Sequence, residues 1–143
     1  LKKHCAAVFA AIGSGVAASA FSVFCLVKLL GLSHEDYVTL LPKSITTAIG
    51  MGVSEEAGGI VALTVVTIIL TGVAGSVMAE LIFKMVKIHH PVARGLALGT
   101  SAHAVGTSKA LELGEIEGAM SSLAIAVAGL LTVILVPIIS GLA

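Results

Sequence analysis

Lys43 follows Pro42 and stands beside Ser44, Thr46 and Thr47, a cation next to a row of hydroxyls. Proline fits the first turn of a helix, where its missing N–H costs nothing. Free backbone donors in such a turn, at the positive end of the helix dipole, attract an anion. With the charge of Lys43 added, the segment has the chemistry to hold a small carboxylate. A competing reading keeps Lys43 at the bilayer boundary, its stem along apolar surface and its head in water.

A second group centres on His103, between Gly99-Thr100 and Gly106-Thr107 and ahead of Ser108 and Lys109. Histidine titrates near neutral pH, so His103 is a candidate proton carrier or substrate contact. Equally, it could hold a broken backbone by hydrogen bonds. Thr100, Thr107, Ser108 and Lys109 join it as candidate substrate contacts. Arg94 could clamp a carboxylate with both arms of its guanidinium; three residues after Pro91, it could instead mark the aqueous edge. Lys109 and Glu112 are three apart and can pair on a helix. A neutralised pair costs less inside a membrane than either charge alone, and Glu112 is also the candidate for a coupling ion. No nucleophile–base pair and no metal-ligand spacing occurs, so neither an enzyme nor a metal or other cofactor is expected. There is no basic tract or aromatic platform for nucleic acid.

These residues sit in an unusually apolar chain. Hydrophobic residues make up 57% of it and charged ones 11%, against about 25% charged in soluble domains; the mean hydropathy is +1.13. Aromatics are scarce, while small residues such as Gly13, Gly15, Ala17, Gly72, Gly75 and Ser76 recur in the apolar runs. Small residues let helices approach closely in lipid. An integral membrane protein is expected. Cys5 and Cys25 fall in one run and would lie about 30 Å apart along a helix, too far for a disulfide. The chain opens at Leu1 with Lys2 and Lys3 leading straight into an apolar run, which we read as the cut edge of a longer protein.

Three uncharged stretches, Cys5–Val27, Ala57–Ala79 and Gly118–Ala143, reach the roughly 20 residues needed to cross a bilayer. Two intervening segments, Tyr37–Ser54 and Pro91–Leu113, are too polar and interrupted to face lipid. Such backbone is tolerated at membrane depth only where it is buried in protein or lines a wet cavity. Lys2, Lys3 and His4 precede the first span, and Lys84, Lys87, His89, His90 and Arg94 follow the second. Cytoplasmic loops are enriched in Lys and Arg, so both basic ends belong on one side. Tyr37–Ser54 must then go in and return without crossing. Glu55, Glu56, Glu115 and Glu117 are expected as solvated charges at span ends, with Glu80 and Lys84 as an interfacial pair.

Shifting the chain by 62 positions sets Ala48, Gly52, Glu55 and Ala57 on Ala110, Gly114, Glu117 and Ala119, with Thr46 on Ser108. Each unit, 37–83 and 91–142, is a polar broken segment followed by a span. An odd number of crossings per unit makes the repeats inverted, and inverted repeats with discontinuous helices mark transporter binding sites. The expectation is a single all-α membrane domain over 1–143, with three transmembrane helices and two re-entrant or broken helices around a midplane site.

Several blocks then carry a resemblance: Pro42-Lys43-Ser44-Ile45-Thr46-Thr47, Gly58-Gly59 after Glu55-Glu56, Ala93-Arg94-Gly95-Leu96-Ala97-Leu98-Gly99-Thr100, His103, and Glu117-Gly118-Ala119. They resemble the signature blocks of the LrgB/CidB family over roughly the last hundred residues, with Leu1–Leu40 similar in character only. Ala48 departs from a frequent proline and Lys109 from a frequent arginine. The resemblance implies an antiholin-like protein of the bacterial cell membrane, linked to murein hydrolase control and lysis, with an LrgA/CidA-type small membrane partner. It equally implies transport of small carboxylates, since plant plastid relatives carry glycolate and glycerate and some bacterial members are tied to pyruvate. Carboxylate transport, possible in a proton-coupled form, is the main expectation and the antiholin role its alternative; a homo-oligomer in contact with membrane lipids is also expected.

Overall fold

The computed structural model describes residues 5–142, and among these no strand occurs. Lys2, Lys3 and His4, part of the charge argument for topology, lie outside the described residues. Six helices follow in order: α1 Cys5–Leu30, α2 His34–Leu40, α3 Thr47–Glu56, α4 Val61–Met85, α5 Pro91–Leu113 and α6 Glu115–Ile139, closed by a short 3-10 turn at Ser140–Leu142.

Helices α1, α4 and α6 are long and apolar enough to cross a membrane. At 1.5 Å per residue the 26 residues of α1 extend about 39 Å, beyond the ~30 Å hydrocarbon core. Large apolar side chains such as Phe21, Leu29, Leu70, Val77, Leu130 and Ile138 lie exposed on these helices. Such surface is a liability in water and the ordinary condition in lipid. The second span starts later than the sequence implies, at Val61 rather than Ala57. Gly58 has φ +81, and Gly59 packs on Ser54 and Thr39 so closely that a Cβ would collide. Helix α4 cannot begin before this break.

Between α1 and α4 the chain forms a compact hairpin, α2 then α3. Ser33 starts α2 with a capping box: Asp36 N–H donates to Ser33 Oγ (3.1 Å), while Ser33 N–H and Oγ–H donate to Asp36 Oδ2 (3.0 and 2.7 Å). These bonds hold the Asp36 carboxyl below the usual carboxylate range, the side-chain bond contributing most. Leu41–Ser44 form the turn, and α3 starts only at Thr47 with Thr46 as N-cap. Pro42 therefore does not open a helix around Lys43. It sits in the turn, fully buried, with Lys43 N–H donating to the Leu40 carbonyl at 3.1 Å. Both legs are fastened to α4, since Thr64 Oγ1 lies 2.9 Å from the Thr39 carbonyl and 2.7 Å from Ser54 Oγ. Ile60 N–H donates to Thr39 Oγ1 at 2.8 Å.

Helix α5 is two helices joined at His103, whose φ 43 and ψ −130 interrupt the spiral. The chain folds back there. A Cβ on Gly106 would lie 2.6 Å from the Leu98 carbonyl oxygen, so the second half lies against the first. Ala110 shares a core cluster with Ala79, Phe83 and Leu98, so both ends of α5 lie near the last turns of α4. The first half runs parallel to α6, because Gly95 abuts Glu117 and Gly99 abuts Ser121 in step. The core follows this arrangement: Val8, Ile12 and Val16 of α1 pack on Leu96, Met120 and Ala124, while Val23, Val27, Tyr37, Leu41 and Val136 form a second cluster toward the other end.

Candidate functional site

The α2–α3 turn points its polar residues at the middle of α1. Lys43 Nζ donates to Ser44 Oγ at 3.1 Å and to Ser19 Oγ at 3.3 Å, and the two serine oxygens lie 3.0 Å apart. Among the described residues both recorded ion pairs belong to Lys109. Lys43 therefore has hydroxyl partners and no carboxylate. A half-buried ammonium satisfied only by hydroxyls retains attraction for an anion, because a charge removed from water is stabilised most by an opposite charge.

Lys43 and Ser44 line a cleft of about 710 Å³ between α1 and α4, floored by α5. Ser19 and Ser22 contribute from α1, Thr71 from α4, and Thr100 and Ser101 from α5. A second hollow of about 760 Å³ adjoins it along α1 and α5, shares Gly15, Ala18, Ala97 and Thr100 with it, and reaches His90. At the head of the cleft Ser19, Ser44, Thr100 and Thr132 wall a much smaller cell of about 20 Å³. Gly15 makes this possible: a Cβ there would stand 3.1 Å from Thr100 Oγ1.

Of the candidates named from sequence, the structure brings Lys43, Ser44 and Thr100 together. Thr46 and Thr47 start α3 at the same turn, and Thr46 makes no side-chain cap bond. His103 is 3% exposed, with Nε2 2.8 Å from the Ile68 carbonyl. A carbonyl only accepts, so Nε2 carries the proton in this bond. The ring lies against Gly72, where a Cβ would be 2.6 Å from its Cε1. Thr107 Oγ1 donates to the His103 carbonyl (3.0 Å) and lies 2.7 Å from Ser121 Oγ of α6. Ser108 is exposed and turned to the Ala104 carbonyl. His103, Thr107 and Ser108 thus brace the fold of α5 and do not line the cleft.

The charged candidates lie toward one end. Arg94 Nε donates to the Ile88 carbonyl at 2.9 Å, with its guanidinium 5.8 Å over the Phe83 ring. Lys109 Nζ pairs with Glu112 at 3.2 Å and more closely with Glu80 at 2.7 Å. Glu80 was expected to face Lys84; the fold-back of α5 brings Lys109 to it instead. Glu117 was expected in solvent, yet it is 8% exposed and its carboxylate folds over Gly114 at the start of α6. Glu55, Glu56 and Glu115 are exposed as expected.

Ser19, Ser22, Thr71 and Thr132 are the site residues that sequence reasoning passed over. A usable signal existed in α1, where Gly15, Ser19 and Ser22 recur at intervals of four and three and so share one helix face. Among the described residues no group of three or more His, Cys, Asp or Glu is placed to hold a metal.

Comparison with known proteins adds to this geometry. The family model described as LrgB-like matches residues 1–142, beyond the blocks that carry the sequence resemblance. The holin-like protein CidB of Staphylococcus epidermidis is 39% identical over 139 residues, which is 97% of this chain and 61% of that protein. The antiholin-like protein LrgB of Bacillus cereus is 39% identical over 137 residues, 96% of this chain and 60% of that protein. The chain thus spans about three-fifths of the length of these relatives. No solved structure matches it.

Proposed function

Because this chain belongs to the LrgB-like family and is a multi-pass cell-membrane protein, we propose that it serves as an antiholin-like component controlling bacterial lysis together with a small holin-like membrane partner. The observation that carries this reading is that relatives 39% identical over nearly the whole chain bear holin-like and antiholin-like names. Expression in a strain lacking its own relative tests it, with autolysis rate and murein hydrolase activity outside the cell as readouts. Restored control that also needs an LrgA/CidA-type partner supports the reading. An unchanged autolysis rate with the protein present in the membrane sinks it.

A second reading has its own observation. Lys43 heads a cleft with hydroxyl partners and, among the described residues, no carboxylate partner, which supports passage of small organic anions of the glycolate, glycerate or pyruvate type. In this reading α2–α3 and α5 are re-entrant hairpins, the one from the side of Ser33 and the other from the side of His90, meeting near mid-membrane as inverted repeats. The agreement of Thr64 with both legs of the first hairpin, and of Lys109 with Glu80, supports that topology. Uptake of labelled glycolate or pyruvate into proteoliposomes tests it; a rate equal to that of empty liposomes removes it. Proton coupling would show as acceleration of uptake by an inward proton gradient. A homo-oligomer in the membrane is read from crosslinking in native lipid.

A further inference from the structure

The cleft and the cell at its head differ in size by more than an order of magnitude, about 710 against 20 Å³. About 10–15 Å³ of such space holds one water, so the cell admits a water and excludes a carboxylate of two or three carbons. Its four hydroxyls come from four separate elements: Ser19 from α1, Ser44 from the α2–α3 turn, Thr100 from α5 and Thr132 from α6. Leu41, Ile45 and Val136, at 4%, 4% and 2% exposure, are among the apolar residues that line the same cell. On the near side, two adjoining hollows reach from His90 to Lys43 and share Gly15, Ala18, Ala97 and Thr100.

We propose that this cleft opens toward the His90 face alone, and that the cell walled by these hydroxyls and by Leu41, Ile45 and Val136 is its closed gate, an inference that rests on reading the cleft as an anion route. The gate is built to part. Its hydrogen bonds join side chains of separate elements, Ser19 to Ser44 and Lys43 to Ser19, so a small shift of the turn away from α1 breaks contacts without unwinding a helix. Apolar side chains packed among the hydroxyls keep ions out of the remaining gap, as hydrophobic constrictions do in channels. Ser19 and Thr132 thereby gain a role in selection by size, alongside Lys43 in selection by charge.

The test uses the full chain in sealed membrane vesicles of both orientations, with Cys5→Ser and Cys25→Ser to remove the native thiols. Ala97→Cys places one thiol where the two hollows meet, on the His90 side of the gate. The probe is a membrane-impermeant methanethiosulfonate, which needs a thiolate in contact with water. Modification is expected from the His90 face only. Adding Val136→Ser or Ile45→Ser should raise modification from the opposite face about tenfold, since a buried hydroxyl admits water where an alkyl group excludes it. Both gate variants must keep the parental rate from the His90 face, and two are made so that misfolding of one leaves the other to decide. Modification of the parent from the opposite face, or from neither face, overturns the proposal, as does a folded gate variant that changes nothing. Glycolate uptake measured in the same vesicles judges the anion reading separately: one-sided labelling without uptake keeps the gate and removes the anion.

Discussion

Ser19 Oγ and Ser44 Oγ lie 3.0 Å apart although 25 residues separate them, and this contact joins the middle of the first span to the tip of the first hairpin. Lys43 completes the triangle from the same tip. The polar end of the cleft therefore depends on how α2–α3 docks on α1.

Lys43→Ala should weaken carboxylate binding far more than Lys87→Ala, because Lys87 sits in the exposed connection after α4. Loss of a charge-assisted hydrogen bond costs about 1.5–3 kcal/mol, or roughly 10- to 100-fold in affinity. Titration of glycolate onto the purified variants checks this. Equal, small effects at both positions would place Lys43 at the interface only.

His103→Gln should hold the fold better than His103→Leu. Gln supplies an N–H for the Ile68 carbonyl, whereas Leu removes this bond between α5 and α4 at a cost of about 0.5–1.5 kcal/mol. Thermal unfolding in detergent distinguishes the two. If the Gln variant transports with the parental pH profile, proton carriage by His103 is excluded and its hydrogen bond is its contribution.

Gly99→Ala should be strongly destabilising and Gly13→Ala nearly silent. A Cβ at Gly99 meets the α6 backbone at Ser121 and comes within 2.7 Å of Ala124 Cβ, while nothing lies within 4 Å at Gly13. Overpacking costs about 1–3 kcal/mol. Comparable melting temperatures for the two variants would mean that α5 and α6 are less closely apposed.

Acid should loosen the start of α2. The Asp36 carboxyl titrates below its ordinary value because Ser33 bonds its ionised form. Folding of this turn is therefore favoured above the unfolded-state pKa, and the benefit is lost as pH falls through the lower folded-state value. Hydrogen exchange at Asp36 and Tyr37 should speed up over that interval. Ser33→Ala should reduce the pH dependence and leave the part due to the backbone N–H of residue 33, which still donates to Asp36.

The spans were legible because a run of apolar residues needs no tertiary partner to declare itself, and α1, α4 and α6 are long and apolar enough to cross a membrane. Both polar interruptions were legible for the complementary reason, since Pro42-Lys43 and the Gly/Thr/Ser run about His103 cannot face lipid. What they do was less so. Spacing alone suggested a helix opening at Pro42, whereas burial of the proline and the start of α3 at Thr47 depend on α1 and α4. Ser19 and Thr132 could not be singled out for a related reason. A lone hydroxyl in a span bonds its own preceding turn, as Thr132 does to the Ala128 carbonyl, and only the folded chain shows which one also faces a cavity.

Tyr37 Oη donates to the Ile139 carbonyl at 3.2 Å across 102 residues, and Val136 lies in the same cluster as Tyr37, Val38 and Leu41. That contact sets an order of assembly. While the chain is being synthesised, the hairpin that carries Lys43 can dock on α1 and α4, yet the small cell beside Ser44 lacks the wall of Thr132 and Val136 until α6 has been translated and inserted. The head of the cleft is therefore completed late, and a nascent protein lacking α6 leaves that cell open. Translation speed through α6, and any membrane chaperone that shelters Tyr37 meanwhile, would govern how much of the protein matures.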